Sequence, residues 1–208
     1  MTPDEIETLF SRSDGSYLFA RWGRPIVPVV FGVEDATLSV IKGAIEAVVM
    51  LAGHKMAETD PELGSNLMMF FCRDWDELLA LDGLERLVPE LEATVARLKA
   101  QEANQYRFFR FEESGEIKAG FVFLRMDESL SEMAAEDLAL AQAVQVILLW
   151  GERAFAGVSP LARVPDGKVV LRPEIAAVIA AGYDSAMPSM AQDGSAHALR
   201  MFARMRAE

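Results

Sequence analysis

Six consecutive apolar residues, Leu67-Met68-Met69-Phe70-Phe71-Cys72, constrain this chain more than any other stretch. A run that short and apolar at every position reads as a strand buried on both faces, in the middle of a sheet. Helical signals stand on both sides of it. Upstream, Asp35 opens a helix with Leu38, Ile41, Ile45, Val48 and Ala52 on one face, and Gly53 ends it. Downstream, Asp74 caps a short helix over Trp75 to Leu81, and a second helix follows Pro89 with Leu91, Val95 and Leu98 in register.

The other strands are patterned differently. Tyr17 to Trp22 and Ile26 to Phe31 read as extended. Pro28 has no N–H to donate to a ladder, which places that strand at a sheet edge or a bulge. Tyr106 to Phe111 and Ile117 to Met126 flank Glu112-Glu113-Ser114-Gly115-Glu116, a hairpin signature. Capping boxes at Thr2/Glu5 and Ser129/Glu132 open a short first helix and a long one ending near Gly151. That long helix is apolar on most faces, hence central. Beyond it lie a loop over 160–168, a short strand at Val169 to Leu171, a helix from Pro173 to Gly182, a loop over 187–194 and a terminal helix capped by Ser195.

These elements predict a mixed α/β (α+β) fold: a four- to five-stranded sheet with packed helices and a helical C-terminal tail, not a doubly wound Rossmann sheet. The 208 residues suit a single domain over 1–208, with an α/β core at 17–155 and a mostly helical extension at 156–208. Hydrophobic residues make up 51%, enough for a core without disulfides or metal. One cysteine, Cys72, excludes an internal disulfide and a cysteine-based zinc site. It reads as a buried, inert thiol, since reactive cysteines need an exposed electropositive site.

Charge narrows the functional classes. With 32 acidic and 20 basic residues the net charge is −12, which argues against a general nucleic-acid surface. No apolar run approaches the ~18 residues of a membrane span, and the acidic N-terminus lacks a signal-peptide pattern. The expected location is the cytoplasm, or outside the cell if a leader has been removed. No phosphate-cradling GxGxxG or GxxxxGK[ST] and no GxSxG elbow occurs.

The two histidines stand far apart. His54 follows Gly53 at a helix end, where the macrodipole favours an imidazolium. His197 lies in the first turn of the last helix. Trp22, beside Arg21 and Arg24, is suited either to stacking on a ligand or to packing over a sheet edge with its indole N–H satisfied. In the last helix Arg200, Arg204 and Arg206 oppose Leu199, Phe202 and Met205, an amphipathic pattern suited to docking on its own domain.

One succession goes beyond composition. Arg21-Trp22-Gly23-Arg24-Pro25-Ile26 runs into a strand, a helix ends at Ala52-Gly53-His54, strands follow at 66–71 and 117–126, and a long helix comes next. This resembles, over 17–155, a bacterial family of unknown function with a zincin-like, metzincin-type core. In such a core an edge strand holds extended substrate beside a helix bearing His-Glu-x-x-His, whose Glu activates a zinc-bound water. The matching helix here reads Glu136-Asp137-Leu138-Ala139-Leu140-Ala141-Gln142-Ala143-Val144. Gln142 takes the second ligand's place, and Leu138 and Ala139 stand where the first ligand and the base belong. The resemblance therefore implies a scaffold without zinc and without protease activity, and no cofactor is expected.

Three functions stay open. One is a non-catalytic protein that binds a protein or peptide partner in a cleft between the 117–126 strand and the 130–152 helix, with Trp22, His54, Arg125 and Gln142 as contacts. Another is a hydrolase built from spatially assembled carboxylates, with or without a hard metal ion. The third is a homo-oligomer burying a surface rich in the eleven methionines.

Overall fold

The computed structural model describes residues 1–206. Its frame is a four-stranded mixed sheet of β2 (Pro28–Phe31), β3 (Leu67–Cys72), β5 (Ile117–Arg125) and β4 (Gln105–Phe111), in the order β2-β3-β5-β4. The first three run parallel, and β4 returns antiparallel to β5 through the expected hairpin. The apolar run is thus an interior strand. Leu67 and Met69 face one layer, Phe70 and Cys72 the other, and all four are buried. Pro28 starts the edge strand β2, where its missing N–H costs no ladder bond.

Two cores result. On one side α2 (Asp35–Leu51) and α6 (Ala135–Ile147) cover the sheet. On the other, a 3-10 turn (Trp75–Ala80), α3 (Leu84–Leu87) and α4 (Leu91–Ala100) do so. The second core holds stacked rings running across the strands: Phe31 on Phe70 at 4.8 Å, Phe70 on Phe123 at 5.0 Å and Phe108 on Phe121 at 4.6 Å. Such pairs add about 1 kcal/mol each beyond their burial.

The remaining elements wrap the α2/α6 side. They are α1 (Pro3–Phe10), β1 (Phe19–Ala20), the hairpin β6 (Leu161–Arg163) and β7 (Val169–Leu171), α7 (Pro173–Tyr183), β8 (Met190–Ala191) and α8 (Gly194–Met205). β8 pairs with β1, and Ala198 and Met201 of α8 lie in the same cluster as Ile6 and Phe10 of α1. Residues 156–208, as far as described, therefore share the core of the N-terminal elements. Two segments expected as loops contribute the strands β6 and β8.

Several boundaries differ from the sequence pattern. The long helix is split: Asp127, not Ser129, accepts from the Leu130 N–H and caps α5 (Glu128–Ser131), and α6 starts afresh without a side-chain cap. Asn104 donates to the Asp127 carboxylate and Arg125 pairs with it, so this acid is already oriented for capping. α6 also stops at Ile147, because Leu148 bridges Arg21 and the Leu149 N–H donates to Ala20. At the last helix Asp193 is the cap one turn ahead of Ala196. The buried face of α8 is His197, Ala198 and Met201, while Leu199 is 55% exposed.

Candidate functional site

The sheet leaves one long edge open, and the hydrogen bonds tell which groups it presents. Arg125 N–H donates to the Asn104 carbonyl, so that pair is a bonded pair of the antiparallel ladder. Bonded pairs alternate with non-bonded ones. The register Gln105↔Leu124 and Arg107↔Val122 then turns the backbone groups of Gln105, Arg107 and Phe109 away from β5. Among the described residues none of these groups has a backbone partner outside the sheet. Their side chains share the α6 face, while Tyr106 and Phe108 join the second core.

Along this edge runs a groove of about 610 Å³, within the size range of small-ligand sites. β4 supplies Gln105, Arg107, Phe109 and Phe111 as one wall. Gln145 of α6 and the following segment, with Leu149, Trp150 and Phe155, supply the other. Phe109 can lie flat across β5 because Gly120 stands there: a Cβ would sit 3.2 Å from the Phe109 ring and 3.3 Å from Trp22. Trp150 is held by its indole N–H on the Val144 carbonyl at 2.8 Å and packs edge-on against Phe155.

Arg107 is the charged group on the groove's β4 wall. Its Nη1 donates to Gln145, and its Nη2 donates to Gln105 at 3.1 Å and to Gln142 at 3.1 Å. Gln142 in turn donates to Gln105 at 3.0 Å. All three acceptors are neutral amides. Burial pushes the guanidinium down to about 10, so it stays charged at neutral pH without a carboxylate to balance it. Its Nε–H is buried and has no partner among the described residues. Glu152 lines the same groove, but its carboxylate is taken by Arg12 at 3.2 Å and by the Ser13 N–H and hydroxyl.

The four sequence-derived contacts are placed apart. Gln142 is buried behind Arg107. Trp22 is buried, its indole N–H on the Val146 carbonyl at 2.8 Å. His54 Nε2 donates to the Arg24 carbonyl, 2.9 Å away, and its ring lies 5.1 Å from that of Tyr183, whose hydroxyl also accepts from the Trp22 N–H. Burial lowers the His54 pKa, outweighing the bond to the Arg24 carbonyl, so the proton is held less tightly than the helix-end position alone suggests. Arg125 lies at the far end of β5, bound to the Ala103 carbonyl and Asp127. Between β5 and α6 there is packed core, including Val122, Leu124, Leu138 and Ala139. Arg107 escaped the sequence reading, although its alternation with Gln105 and Phe109 was visible.

A larger depression of about 1220 Å³ gathers Asp60, Glu62 and Glu112. They converge on cations, not on open space: Arg24 pairs with all three, and Lys118 with Glu62 and Glu112. Burial opposes ionisation of Asp60, yet the N–H groups of Leu63 and Glu62, Arg24 and Asn66 together hold its carboxyl at about 2. No group of three metal-ligating side chains occurs among the described residues. Cys72 is buried, and burial raises its thiol to about 11. The methionines do not form one surface: Met69, Met187 and Met201 are buried, and of the exposed ones Met50 lies on α2 and Met133 in the link between α5 and α6. No described helix is long and apolar enough to cross a membrane. Comparison with protein-family models, curated proteins and solved structures finds no match.

Proposed function

We propose that this protein is a non-catalytic binding protein that takes up an extended polypeptide segment as an added strand along β4. The observation that carries this reading is the coincidence of an unpaired strand edge and a groove on the same residues, Gln105, Arg107 and Phe109. Backbone groups give such a complex its affinity, and alternate side-chain pockets give it selectivity. Phe109, Phe111 and Phe155 offer apolar contacts for the segment's inward-facing side chains.

The zincin-like resemblance supports the same reading. In that scaffold extended substrate lies on an edge strand beside a helix, and the edge strand offered here is β4, tied to α6 by the bonds of Arg107 to Gln142 and Gln145. Leu138 and Ala139 carry no group able to bind a metal or accept a proton, and Gln142 spends its amide on Arg107 and Gln105. The chemistry left on this face is hydrogen bonding and a fixed positive charge.

The test is selection of peptides from a displayed random heptapeptide library, followed by hydrogen exchange with the synthetic winner. The expected result is slowed exchange at the amides of Gln105, Arg107 and Phe109, with the peptide recovered intact after prolonged incubation. Protection confined to other elements, cleavage of the peptide, or a stoichiometric zinc ion in the purified protein overturns the reading.

A further inference from the structure

We infer that the segment bound along β4 is anchored by a carboxylate, which Arg107 receives. The inference rests on the strand-addition reading and names the chemistry that site selects. A partly buried guanidinium normally has a carboxylate beside it, because an unbalanced charge in a desolvated site is costly. Arg107 has instead three amide oxygens, which orient the guanidinium without neutralising it. Three of its five N–H donors are used, and the Nε–H is held away from water with no partner among the described residues. The acid in the same groove, Glu152, is already bound by Arg12 and Ser13.

The geometry assigns each part a task. Gln142 and Gln145 hold the guanidinium from α6, and Gln105 holds it from β4, so its plane is set before any ligand arrives. The Arg107 charge lies beside the backbone groups that would receive the added strand. A carboxylate bonded there gains a charge-assisted hydrogen bond and balances the only cation on the β4 wall. The rest of the groove is mostly apolar, and its Arg12 and Glu152 are paired with each other, so the fitting ligand is an extended segment with one acid among apolar residues. That acid is either a C-terminal carboxylate or an Asp or Glu side chain.

The test uses three pools of N-acetylated pentapeptides varied over Ala, Val, Phe and Thr. One has a free C-terminal carboxylate, one is C-terminally amidated, and one is amidated with a single Glu. Binding is read by the nitrogen-15 shifts of the Arg107 Nε–H and of the amides of residues 105, 107 and 109. At least one acid pool is expected to move both sets of signals at concentrations tenfold or more below the neutral pool. Which acid pool does so tells a chain terminus from a side chain.

Arg107→Gln is expected to abolish the preference. Gln145→Glu is a second variant that keeps Arg107 and supplies an internal carboxylate; it is expected to remove the preference by filling the cation. Equal binding of acid and neutral pools to the edge amides overturns the carboxylate inference and leaves strand addition standing. No binding by any pool overturns both. A preference unchanged in Gln145→Glu also overturns the inference.

Discussion

At the scale of single residues, burial decides chemistry that residue type alone leaves open. His197 lies in the first turn of the last helix, and only 3% of it is exposed. Its Nδ1 meets the Tyr17 hydroxyl at 2.6 Å, and its Nε2 is buried with no partner among the described residues. Burial, aided by the charge of Arg200, pushes its pKa down to about 4. The unfolded chain, near 6.5, therefore binds the proton more tightly than the folded one. Stability from this residue is complete above pH 6.5 and is lost as pH falls toward 4. Urea unfolding should show a loss of about 2 kcal/mol between pH 7 and pH 5 from this group, and His197→Phe should remove it. Equal pH slopes in the two proteins would contradict the assignment. The same logic separates Arg107 from Arg24: Arg24 faces three carboxylates, and Arg107 faces amides.

At the scale of elements, hydrophobic period and turn chemistry predicted most helices and strands, but capping followed the best-oriented acid. Thr2 and Glu5 form the expected reciprocal cap. Ser129 does not cap, because Asp127 is already held by Asn104 and Arg125. α2 carries a testable weakness in its middle. Gly43 is exposed, helical and surrounded by open space. A methyl there meets nothing and restricts the unfolded chain, so Gly43→Ala should stabilise by about 0.5–1 kcal/mol. Thermal and urea midpoints would both rise, and a fall would mean that α2 is distorted at this turn.

At the scale of the whole molecule, the two cores share one sheet, and both chain ends share one of the cores. β1 pairs with β8, and α1 lies against α8. Calorimetric and van't Hoff enthalpies should therefore agree, with one transition for the whole chain. A separate early transition for residues 156–208 would show that the last elements are only loosely joined.

The interior strand, the placing of Pro28 at an edge or a bulge, the 106–126 hairpin and the mixed α/β class follow from local patterns: apolar runs, a missing N–H, turn residues and helical period. These act over a few residues, so they are written in order along the chain. The groove is different. It needs the free edge of β4, set by the pairing register, and a guanidinium from residue 107 meeting amides from 142 and 145. Residues some 35 positions apart become neighbours only when α6 packs back across the sheet. That Leu138, Ala139 and Gln142 put neither imidazole nor carboxylate on this part of the helix was legible in the sequence. That Gln142 meets a partly buried arginine whose guanidinium rests on amides was decided by tertiary packing alone.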